Sequence, residues 1–183
     1  MRTIFLSLFI LSSLASASNL SKLYKMYEKQ EYDKACNYAM KYFTKNKNSE
    51  DYLTLYGLAC LETDNIHRIA TPMLRLKKTK DARANAAYFS TILLQKELLF
   101  QAMVDKISLS NLQLPNTNFI LSKIFTLFSK KEYAFKNDIY NFKDKEKKEM
   151  AYKLYIEESK KKEKYMILDI YKDDKFTHRY RYQ

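Results

Sequence analysis

"DYLTLYGLACLE", Asp51 to Glu62, decides how the chain is read. Its apolar spacing is helical, yet Gly57, the only glycine in 183 residues, stands near its centre. A glycine inside a helix costs about 1 kcal/mol relative to alanine, so its presence implies the close approach of another helix. Thr63, Asp64 and Asn65 follow at once and are good N-capping residues, the mark of a helix break. Elsewhere Lys, Leu, Ala and Glu are frequent, proline is nearly absent, and alternating patterns are scarce before Lys164. The body of the chain is therefore expected to be helical.

Leu53-x-x-Tyr56-Gly57-x-x-Cys60 resembles the first helix of a tetratricopeptide repeat, and the best match runs from Leu53 to Leu76. The resemblance implies a second helix from about Ile66 to Leu76, with Ile69 or Ala70 answering the glycine across the hairpin. Moved back by 34 residues, the frame places Leu23 at the small-residue position and Ala35 opposite it. The elbow then falls on Lys29-Gln30-Glu31, inside "EKQEYDKACNYAMKYF" (Glu28 to Phe43). Moved forward by 33, it gives Ala86-x-x-Phe89-Ser90-x-x-Leu93, with Ala102 answering after an elbow near Lys96-Glu97. "SKKEYAF", Ser129 to Phe135, echoes "EKQEYDK" and suggests a fourth copy. There are departures: Asn19 and Lys22 stand where apolar residues are usual, and Lys47 and Asp81 where a closing proline is.

The fold implied is all-α, a superhelical stack of three to four such hairpins over residues 18–144, with an irregular bundle of helical hairpins as the alternative. A stack has a concave face lined by first helices, and the resemblance puts Tyr52, Tyr56, Ala59 and Phe89 near the positions where that family meets its partners. Cys36 and Cys60 are the only cysteines, and in the repeat frame they lie on neighbouring helices. Either they form a disulfide, stabilising the fold by roughly 3 kcal/mol, or they are two small buried residues.

The first residues, "MRTIFLSLFILSSLASAS", have a charge at Arg2, an apolar run from Ile4 to Leu14, and the small residues Ala15-Ser16-Ala17. This is the layout of a secretory signal over 1–17, with cleavage expected before Ser18; the alternative is an uncleaved anchor, although that usually needs about 20 apolar residues. The expected location is the periplasm. A net charge of +12 would suggest nucleic acid in the cytosol, but an exported chain seldom meets any. The charge is read either as attraction to acidic partners or surfaces, or as the lysine bias of AT-rich coding.

Catalytic patterns are lacking. Cys60 and His67 have no third group placed to orient the imidazole, His178 sits in a tail among Arg179, Tyr180 and Arg181, and the carboxylates are scattered through lysine-rich stretches. No cofactor, metal site or small-molecule substrate is expected.

"KDKEKKEMAYKLYIEESKKKEKY" is read as a capping helix over 145–164, closing the stack with a polar face. After it, residues 165–183 turn to period two about a Lys-Asp-Asp-Lys break, which reads as a β-hairpin, with a final helix and loose tail as the alternative. Arg179, Tyr180 and Arg181 on it are candidate partner contacts. The functional expectation is a periplasmic protein-binding scaffold, an accessory part of an envelope-spanning machine such as a flagellar motor, a pilus or a secretion apparatus. A basic binder of cell wall or anionic surfaces, and an enzyme of unidentified type, are the other classes.

Overall fold

A computed structural model describes residues 7–110 and 112–183, with side chains from Ser18 onward. The expected leader over 1–17 lies outside these residues, apart from helical backbone from Ser7. The chain divides into two compact units, 1–89 and 90–183.

The first unit is helical: α1 (Ser7–Glu28), α2 (Tyr32–Asn46), α3 (Glu50–Leu61), a single 3₁₀ turn (Ile66–Ile69), the short α4 (Ala70–Met73), and the opening turns of α5 (Lys80–Asp105). The stretch "EKQEYDK" is the junction of two helices. Gln30 adopts a left-handed φ of 58°, while the amide of Gln30 donates to Tyr27 O at 2.9 Å and that of Glu31 to Met26 O at 3.0 Å. This closes α1 in a Schellman-type cap. Ser49 caps α3 by accepting from the Tyr52 amide, and Glu50 and Asp51 place negative charge in its first turn.

Leu23, Ala35, Ala39, Leu53 and Ile69 form the buried centre of this unit. Gly57 meets the ring of Phe89 from α5, and a β-carbon there would overlap ring carbons Cε2 and Cζ. The close approach read from the glycine is present, but the element that makes it is a phenylalanine and not Ile69 or Ala70. Cys36 and Cys60 form a disulfide that ties α2 to α3, with their α-carbons 4.8 Å apart.

The second unit overturns the all-α expectation. After the rest of α5 and α6 (Ile120–Ser129) come five antiparallel strands: β1 (Ala134–Lys136), β2 (Ile139–Lys143), β3 (Met150–Glu158), β4 (Lys164–Lys172) and β5 (Lys175–Tyr182). They lie in one sheet in chain order, each paired with its neighbour. The supposed capping helix is β3 with its flanking turns. Met150, Tyr152, Leu154 and Ile156 share one face, and Ala151, Lys153, Tyr155 and Glu157 the other. Period two wins over the helix propensity of Lys and Glu because β4 pairs with the whole length of β3, from Met150↔Lys172 to Glu158↔Lys164. The hairpin expected after Tyr165 exists as β4 and β5, but as the last two strands of this larger sheet.

The repeat frame fails in two further places. α5 runs unbroken for 26 residues through Lys96-Glu97, so Ser90 and Ala102 lie on one helix and no third hairpin forms. "SKKEYAF" is the end of α6 followed by β1. Its likeness to "EKQEYDK" is a shared cap: Lys131 has φ 56°, and the amides of Lys131 and Glu132 donate to Phe128 O and Leu127 O, as Gln30 and Glu31 do after α1.

Two tight turns, at Asn137-Asp138 and Asp173-Asp174, have both residues at positive φ and join β1 to β2 and β4 to β5. The inner face of the sheet carries Phe142, Tyr152, Leu154, Met166 and Leu168, all buried. The ring of Phe128 on α6 meets that of Tyr140 at 4.9 Å, and Phe119, just before α6, meets Tyr180 at 6.2 Å. No described helix is long and apolar enough to cross a membrane.

Candidate binding groove

A groove of about 670 Å³ opens in the first unit among α1, α3 and the start of α5. Leu20 and Tyr24 come from α1, Thr54, Leu55 and Leu58 from α3, and Ala82 and Asn85 from α5. On α3 the lining positions Asp51, Thr54, Leu55 and Leu58 follow the i, i+3, i+4, i+7 spacing of one helix face. Across the floor, Asn85 Nδ2 donates to Thr54 Oγ1 at 3.1 Å and ties α5 to α3. Tyr24 at the edge is 52% exposed.

The side chains of the lining that are charged at neutral pH are Glu50, Asp51 and Asp81, all acids, in a chain of net charge +12. Glu50 is structurally committed. Its Oε1 accepts from the amides of Lys77 at 2.9 Å and Lys78 at 2.6 Å, and its Oε2 from the amide of Thr79 at 3.0 Å. Desolvation opposes its charge, but the backbone donors and the Thr79 hydroxyl prevail and hold its pKa down at about 2. Asp51 and Asp81 are exposed at the rim.

The residues expected on a concave face fall elsewhere. Tyr52, Tyr56, Ala59 and Phe89 are all buried in the core, and the Tyr52 hydroxyl donates to Ala39 O at 3.0 Å. Burial pushes the Tyr52 phenol well above its ordinary range, so it serves as a fixed donor. The groove is lined by the neighbouring stripe, one residue away and therefore about 100° round the helix. The acidic pair Glu50-Asp51 at the helix start was the available sequence signal.

Of the other repeat positions, Leu23, Ala35 and Ala102 are buried, Ala70 is half-buried and Ser90 is exposed. The Cys60 sulfur is committed to its disulfide and offers no nucleophile.

Arg179, Tyr180 and Arg181 do not act as one patch, because alternation splits them. Tyr180 faces inward, with its ring 6.2 Å from that of Phe119. Arg179 and Arg181 lie on the outer face. Arg179 grips Asp169 with two bonds of 2.6 and 2.8 Å, and the Tyr155 hydroxyl adds a third at 3.2 Å. Arg181 stands 3.5 Å over the ring of Tyr165, and Lys153 stands 4.6 Å over that of Tyr171. These cations are already engaged by their own sheet.

No known protein family, curated protein or solved structure matches the chain.

Proposed function

We propose that the chain is a protein-binding scaffold of the cell envelope, an accessory part of an envelope-spanning assembly such as a flagellar motor, a pilus or a secretion apparatus, and that it holds its partner in the groove among α1, α3 and α5. The observation that carries this reading is the pairing of an apolar floor, Leu20, Leu55 and Leu58, with a rim whose charges are all negative in a strongly basic chain. The occupant that fits is a protein segment presenting aliphatic side chains beside lysine or arginine. Apolar contact supplies affinity, and opposite charge sets orientation and selects against acidic segments. The Cys36–Cys60 disulfide supports an oxidising location, where such bonds persist, as does the signal-like composition of 1–17.

A photo-crosslinking residue at Leu58, in cells that express the chain, tests the reading. A discrete adduct with one envelope protein is expected, lost when Asp51→Lys and Asp81→Lys are combined. No adduct, or one indifferent to that charge reversal, would sink it.

A further inference from the structure

The far side of Glu50 borders a second cavity of opposite character. This cleft, about 550 Å³, lies between the end of α2, the start of α3 and the segment Thr71–Lys78. Four cations line it, Lys47, Arg75, Lys77 and Lys78, against the single carboxylate of Glu50. That carboxylate is turned into the backbone amides of residues 77–79. None of the four cations has an ion-pair partner among the described residues.

The cleft is also held in shape. The exposed Arg75 guanidinium sits 5.3 Å from the ring centre of Phe43, a cation–ring contact that favours its placement at the wall. The backbone that carries Lys77 and Lys78 is clamped from both sides. Glu50 takes its amides, while Arg83 donates to Lys77 O at 3.2 Å and to Lys78 O at 2.7 Å. Leu74 lies at the edge, 64% exposed, an apolar surface beside the positive charges.

We propose that this cleft is a binding site for a phosphorylated ligand, with the phosphate among Arg75, Lys77, Lys78 and Lys47 and an apolar or ring-bearing body along Phe43 and Leu74. A tetrahedral dianion draws donors from several directions at once, which suits a fork from Arg75 with point charges around it better than a planar carboxylate does. Two sources share this chemistry, a soluble phosphorylated small molecule and a phospholipid headgroup. The site differs in charge from the groove among α1, α3 and α5, which shares the wall residue Glu50 but has no cation in its lining.

The test uses the purified chain at low ionic strength with two probes, inorganic pyrophosphate followed by calorimetry and phosphatidylglycerol vesicles followed by co-sedimentation. Binding of at least one probe is expected. The double variant Arg75→Gln, Lys78→Gln should weaken it about tenfold or more, because two charge-assisted contacts are removed. A control, Lys160→Gln with Lys161→Gln in the turn between β3 and β4, removes the same charge and should change binding less than about twofold. Whichever probe binds, the resonances it perturbs in the unaltered chain should include the amides of Leu74 to Lys78, a readout that needs no variant. Cleft-dependent binding of pyrophosphate assigns a soluble ligand, and cleft-dependent binding of vesicles alone assigns a headgroup. No binding of either probe, an equal loss in the control, or resonance shifts that avoid residues 74–78 would overturn the proposal.

Discussion

The ring of Phe89 lies against the α-carbon of Gly57, in the space a β-carbon at that position would need. Phe89 is fully buried, so its ring could make way only by displacing packed neighbours. Gly57→Ala should therefore destabilise the fold by about 1–3 kcal/mol, outweighing the roughly 1 kcal/mol that alanine gains in helix propensity. Chemical denaturation measures this, and Phe89→Leu in the same chain should recover part of the loss. An alanine variant as stable as the parent would contradict the packing described.

Disruption of the Cys36–Cys60 bond is expected to cost about 3 kcal/mol, from the loop of 24 residues it closes. The melting temperature should fall on adding reductant, and the double variant Cys36→Ser, Cys60→Ser should show the lower value with or without it. Mass spectrometry of the untreated chain should find no free thiol.

Asp144 sets an acid limit on the second unit. It is buried and accepts from Lys123 Nζ at 2.6 Å, from the Tyr152 hydroxyl at 2.8 Å, and from the amides of Glu146 and Lys147 at 3.0 and 3.1 Å. Burial alone would raise its pKa, but Lys123 and the other donors lower it from 3.8 to about 2. A carboxyl group depressed on folding contributes stability that is whole above its unfolded pKa and is lost as pH falls through its folded one. This contribution should therefore be complete above about pH 4 and vanish toward pH 2. Asp144→Asn should be less stable by about 2 kcal/mol at pH 7 and lose stability less steeply between those limits. A parallel slope in both proteins would remove Asp144 from the account.

The two matching caps give a paired prediction. Gln30 and Lys131 hold left-handed conformations that suit glycine, so Gln30→Gly and Lys131→Gly should each stabilise by about 0.5–1 kcal/mol, read as a higher denaturation midpoint. A fall in both midpoints would show that their side chains contribute more than the backbone strain they impose.

The helix break after Leu61 was legible because cap chemistry is local, and the one after Glu28 because the repeat frame set an elbow at Lys29-Gln30-Glu31. The crowded glycine was legible because its cost demanded a neighbour, but sequence spacing did not reveal that Phe89 was that neighbour. The sheet was missed for two physical reasons. In β3, Lys153, Tyr155 and Glu157 occupy an outer face, and their helix-favouring or aromatic character masked the alternation of Met150, Tyr152, Leu154 and Ile156. Between β1 and β2 the signal was present as Asn137-Asp138 between two short aromatic runs, a hairpin turn hidden by a lysine-rich echo of an earlier helix end. The groove was missed by one residue on α3, since Leu55 and Leu58 line it while Tyr56 and Ala59 turn inward.

The strand order of the sheet has a kinetic consequence. Each strand pairs only with the strand before or after it in the chain, so no pairing requires a distant segment to be found first. Assembly can spread from either tight hairpin toward β3, with little loop entropy lost at each addition, and topologies of this local kind fold fast. In the first unit the covalent joining of Cys36 to Cys60 waits on an oxidant, and disulfide formation takes seconds to hours. Newly made chains should therefore pass through a state whose sheet is complete while its thiols are still open, and the time spent there is set by the redox supply of the compartment.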